Sequence, residues 1–167
     1  LIGEASYLQM LVHAYYAAKT TFQEDTHYYF SDIQEFVEFN QRWVCAFLEK
    51  IKQRYAPAIH LALKEPHLTL YFPTLDELIE DSKFLVILRD PRDTIASMIT
   101  VGRKMLENRQ THLFNTGNIH QLIAHYKSFY IPCLTSQSTH FKKQLLCIKY
   151  EELVKEPLKA VEKIRLF

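Results

Sequence analysis

Helical stretches that alternate with short apolar runs predict an α/β protein, with a parallel sheet covered on both faces to make three layers. Two observations lead to that class. The runs Phe84–Leu88 and Leu145–Lys149 are each five residues long, and each is followed within a few residues by signals of a helix start. Between them lie two long helix-period segments, so the strands must be joined by a crossover, which in parallel sheets is right-handed. At 167 residues the chain is long enough for a sizeable core, and residues 1–167 are read as a single domain.

The elements follow in order. Residues 5–19 place Leu8, Leu11, Val12, Tyr15 and Tyr16 on one helical face. A polar stretch, 20–26, breaks that helix. Ser31 or Asp32 caps the next, whose stripe of Ile33, Phe36, Val37, Val44, Phe47, Leu48 and Ile51 runs toward Tyr55 and stops before Pro57. Ile59–Leu63 reads as a strand and 64–66 as a turn, with a helix over 67–80 that Pro73 restarts or kinks. Phe84–Leu88 reads as a fully buried parallel strand. A helix over 91–107, a polar loop over 110–118, a helix over 119–135, a strand over 145–149 and a last helix over 157–166 complete the chain.

Composition excludes several classes. Twenty basic and nineteen acidic residues, spread along the chain, give a net charge of +1 and no surface suited to nucleic acid. No run of eighteen apolar residues offers a membrane span. Cys45, Cys133 and Cys147 are odd in number and far apart, and the eight histidines form no ligand pair, so no metal is expected. Cys45 and Cys147 are read as small buried thiols. The ten Tyr and eleven Phe are read as packing.

The segment Arg89-Asp-Pro-Arg-Asp-Thr-Ile-Ala-Ser97 carries the chemistry. Asp90 can cap a helix, Pro91 suits its first position, and Asp93 stands where a capping box wants an acid. Arg89 at a strand end and Ser97 on the second turn flank the helix N-terminus, where unpaired N–H groups favour an anion. A phosphate site is the functional reading; a solvated arginine in an ordinary strand–helix turn is the competing one. Arg92 is read as solvated. Lys64 and Tyr150 also fall at or just past predicted strand ends, the place where such sheets bind ligands, so three separated segments can converge on one crevice.

These residues resemble the sulfotransferases that use 3'-phosphoadenosine 5'-phosphosulfate. That family has the same strand, the same Arg-Asp-Pro-Arg opening and a serine eight residues after the first arginine. Leu146-Cys-Ile-Lys-Tyr-Glu-Glu-Leu-Val154, followed by Glu156-Pro157, is similar to its late strand and turn. Leu63-Lys-Glu-Pro66 is similar to its Lys-x-Pro step, and Gly3-Glu4 to a Gly-Glu step in the protein-tyrosine and bacterial branch. The resemblance implies that Arg89 and Ser97 grip the nucleotide's 3'-phosphate and that Tyr150 contacts the adenine or its 3'-phosphate side. It further implies that Lys64 neutralises the transferring sulfuryl group and that Glu4 is the base for a hydroxyl or amine acceptor. The implied fold is a P-loop-like sheet, and the implied co-substrate is that nucleotide.

Two departures qualify the match. The chain has only Gly3, Gly102 and Gly117, so no glycine-rich cradle for the 5'-phosphosulfate is present. The expectation is a partial domain whose N-terminal strand and phosphate loop are missing. Ser6 also stands where the protein-tyrosine branch has a basic residue, which leaves the acceptor open. A P-loop nucleotide kinase and a degenerate binding module are the alternative functions; a Gly-Lys-Ser/Thr loop would mark the first.

Overall fold

A computed structural model describes residues 5–57 and 59–167. In chain order the elements are α1 (Ser6–Thr20), α2 (Ile33–Arg54), α3 (Phe72–Leu78), β1 (Phe84–Leu88), α4 (Pro91–Glu107), α5 (Ile119–Thr135), α6 (Thr139–Lys143), β2 (Leu145–Lys149), α7 (Tyr150–Lys155) and α8 (Pro157–Leu166). They gather into two compact units. One holds the residues up to Ser82 together with Ser136–Lys142; the other holds Lys83–Thr135 and Lys143–Phe167.

The first unit is helical. The predicted stripe of α1 buries Leu8, Leu11, Val12 and Tyr15, while Tyr16 is half exposed. Each fully buried apolar side chain of this size contributes about 1.5–3 kcal/mol. Tyr15 stacks on Phe36 of α2, with ring centroids 5.3 Å apart, and its hydroxyl donates to Glu77 Oε2 at 3.0 Å. Lys19 closes on the same carboxylate. Asp32 caps α2 by accepting from the Glu35 N–H at 2.9 Å, and Glu35 answers by accepting from the Ser31 N–H. The expected helix over 67–80 is split. Pro66–Tyr71 forms a 3-10 turn, and α3 restarts with Pro73 in its first turn.

The expected strand at 59–63 does not form among its described residues. A strand exists only by pairing, and no described segment forms a ladder with this one; Ile59 is exposed. Two buried carboxylates in this unit each meet a histidine: Glu65 faces His67, and Asp76 faces His140.

The second unit contains a two-stranded parallel sheet. β1 pairs β2 in register from Phe84 opposite Leu145 to Leu88 opposite Lys149. β1 is not buried on both sides as expected. Phe84 and Val86 are buried, but Leu85 and Ile87 remain 40% and 44% exposed, because one face of the strand is uncovered. Cys45 and Cys147 are exposed rather than buried, whereas Cys133 is buried. In α4, Gly102 faces the Phe114 carbonyl so closely that an added methyl would overlap that oxygen. The polar loop thereby packs on α4, folding a 3-10 turn at Leu113–Asn115. Among the described residues no helix is long and apolar enough to cross a membrane.

Alanine favours a helix over glycine by about 1 kcal/mol. At Gly102 the clash with backbone should win, so Gly102→Ala is expected to destabilise the protein by about 2 kcal/mol in urea unfolding. A gain in stability would show that the loop does not rest on α4 in solution.

Candidate functional site

The site is built where β1 and β2 end side by side. Leu88 pairs with Lys149, so the next residues, Arg89 and Tyr150, leave adjacent strands together. Tyr150 is the first residue of α7 rather than a member of the strand. The guanidinium carbon of Arg89 stands 5.2 Å from the centroid of the Tyr150 ring, within cation–π range.

Local bonding explains how the turn after β1 is held. Asp90 caps α4 by accepting from the Arg92 N–H at 2.8 Å. The Arg92 guanidinium forks back onto both Asp90 oxygens, at 3.1 and 2.7 Å, and is otherwise solvated, as expected. The capping-box acid is not Asp93. The Asp90 N–H donates instead to Glu151 Oε1 at 3.0 Å, from the start of α7. The Tyr126 hydroxyl, from α5, donates to the Arg89 carbonyl at 2.9 Å.

These groups border a groove of about 690 Å³. Arg89, Lys127 and Lys149 supply its positive charge, and Tyr130, Ile131 and Leu134 of α5 form an apolar wall. Asp90 and Glu151 also line it, the first engaged by Arg92 and the second by the Asp90 amide. The volume suits a small organic anion with an apolar part. Among the described residues no cluster of His, Cys, Asp and Glu could hold a metal ion.

Arg89 and Tyr150 therefore meet. Ser97 is exposed on the second turn of α4 and is not among the residues lining the groove. Lys64 belongs to the first unit, where its carbonyl accepts from the Ala5 N–H at 3.1 Å. Glu4 lies outside the described residues. Sequence reasoning had no role for Tyr126, Lys127, Lys149 or Glu151. Tyr126 falls within the helix read over 119–135, and a tyrosine packed there still needs a partner for its hydroxyl, which is the available signal.

Comparison with known proteins gives the same direction. Residues 6–167 match the model of the sulfotransferase family. Two nematode proteins, each named "Putative protein-tyrosine sulfotransferase", align over 125 residues, or 74% of this chain. The Caenorhabditis briggsae protein is 28% identical with 42% of its length covered. The Caenorhabditis elegans protein is 26% identical with 46% covered. The chain thus spans under half the length of the curated relatives it matches. No solved structure matches it.

The Arg92 fork holds the Asp90 carboxyl at about 2, below its ordinary 3.8. A depressed carboxyl stabilises the fold above its unfolded value and loses that contribution as pH falls through the folded one. The cap of α4 should hold at neutral pH and weaken between about pH 4 and pH 2. The check is the carboxyl-carbon NMR titration of Asp90, with an expected midpoint near 2; a midpoint at 3.8 would mean that the fork is absent in solution.

Proposed function

The chain belongs to the sulfotransferase family, and we propose that it forms the 3'-phosphate side of a site for 3'-phosphoadenosine 5'-phosphosulfate. From that donor a sulfuryl group passes to a hydroxyl or amine acceptor. The observation that supports this most directly is the meeting of Arg89 and Tyr150 at the ends of paired parallel strands, beside the N-terminus of α4. A guanidinium can give a phosphate two parallel hydrogen bonds, and an aromatic face beside it suits a base or ribose. Ser97 is the second proposed 3'-phosphate ligand. The proposed sheet is three-layered, with strands beyond β1 and β2.

In the transfer, the acceptor oxygen or nitrogen attacks sulfur as the bond from sulfur to the bridging phosphate oxygen breaks. Adenosine 3',5'-bisphosphate leaves, and the acceptor's proton goes to a base. Catalysis of this kind rests on positioning and on charge stabilisation. Glu4 is the proposed base, and Lys64 the proposed partner of the sulfuryl charge. The 5'-phosphosulfate requires a glycine-rich cradle that these 167 residues do not carry. A tyrosine hydroxyl is one acceptor of the right class, given the names of the nematode relatives; Ser6 departs from the basic residue of that branch.

Calorimetry with adenosine 3',5'-bisphosphate against ADP tests the reading on the whole protein. A clear preference for the bisphosphate is expected, and Arg89→Ala should cost about 2–3 kcal/mol of that binding. A preference for ADP would favour a kinase, and an unchanged affinity in the variant would remove Arg89 from the site.

A further inference from the structure

Arg89 is an exposed residue at the point where the chain leaves β1 for α4. Its carbonyl and the Asp90 N–H are the two ends of one peptide plane. Both ends are bound by side chains from elsewhere: the Tyr126 hydroxyl donates to the carbonyl, and the Glu151 carboxylate accepts from the N–H. These partners lie 37 and 61 residues away in sequence. Helix capping does not require them, because the Asp90 side chain already serves the first turn of α4. A peptide plane held at both ends has little freedom in the ψ of Arg89 or the φ of Asp90. The direction in which the Arg89 side chain leaves the backbone is then set as well. The residue next to Glu151 completes the arrangement, since the Tyr150 ring lies against the guanidinium.

We propose that Tyr126 and Glu151 are positioning residues that aim Arg89, an assignment that rests on reading Arg89 as the 3'-phosphate ligand. A guanidinium fork rewards a phosphate only when its plane faces the oxygens, and ordering it beforehand removes part of the entropic cost of binding. The chemistry of both partners fits. Burial holds the Tyr126 phenol above its usual range, so it stays a donor. The Asp90 N–H holds the Glu151 carboxyl below the usual range, so it stays an ionised acceptor. Neither side chain needs to touch the nucleotide.

The test measures, by calorimetry on the whole protein, the ratio of affinities for adenosine 3',5'-bisphosphate and adenosine 5'-monophosphate. That ratio reports the 3'-phosphate alone. Tyr126→Phe and Glu151→Ala are each expected to lower it about fivefold, the scale of one hydrogen bond, with the monophosphate affinity little changed. Glu151→Gln, whose amide oxygen still accepts, should restore most of it. In an Arg89→Ala background, Tyr126→Phe should have no further effect on the ratio. A full ratio in Tyr126→Phe, or equal loss of both affinities in both variants, would overturn the positioning role while leaving Arg89 as ligand. A wild-type ratio near one would overturn the Arg89 assignment itself, and the positioning role with it.

Discussion

The five-residue parallel ladder between β1 and β2 is the constraint on which the second unit depends. Its register puts Leu88 beside Lys149 and therefore carries Arg89 and Tyr150 out of the sheet as neighbours. The meeting of Arg89 with Tyr150 and of the Asp90 amide with Glu151 follows from that alignment. A slip of one residue would turn Tyr150 to the opposite face and move Glu151 away from the Asp90 amide. Parallel pairing also demands a long crossover, and α5 within it supplies both the apolar wall and the Tyr126 hydroxyl.

The residues that order the turn after β1 divide into local and distant ones, and this division decided what could be read from sequence. Asp90 and Pro91 act within their own helix, so the start of α4 was legible to the residue. The box acid was not: Asp93 has the right spacing, but Glu151 takes the amide, and no local pattern reports a partner 61 positions away. Tyr126 is a similar case, since periodicity describes its ring and says nothing of its hydroxyl. The apolar run of β1 correctly announced a strand, but continuous hydrophobicity could not tell a strand covered on both faces from one covered on one. Ile59–Leu63 shows the converse error, because its composition suits a strand that finds no partner among the described residues. Of the proposed site, the meeting of Arg89 and Tyr150 was legible through strand-end placement. Ser97 stands off the groove lining and Lys64 belongs to the other unit, placements that sequence spacing alone does not report.

The first unit handles buried charge differently. The carboxylates of Asp76 and Glu65 are 6% and 4% exposed, and each faces an imidazole that is more than half exposed. A carboxylate withdrawn from water is costly unless it is paired, and an imidazole at the rim provides a partner without burying a second permanent charge. Through Asp76 and His140 the arrangement fastens residues 136–142 to α3, far back in sequence. Glu77, beside Asp76, meets Tyr15 and Lys19 of α1. Successive acids on α3 thus hold different segments of the same unit.

The separation of β1 from β2 gives the groove a place in time as well as in space. A ribosome releases the chain from its N-terminus, and domains form as their segments emerge. Helix α4 can fold on itself soon after Glu107 appears, but β1 cannot pair with β2 until Leu145–Lys149 has followed. Residues 150 and 151 come later still. Arg89 is thus made early and completed late, waiting some sixty residues of synthesis for the ring and the carboxylate that settle beside it. A nascent chain stalled before Tyr150 would carry the arginine and its helix, yet lack both the ring beside the guanidinium and the carboxylate that holds the Asp90 amide.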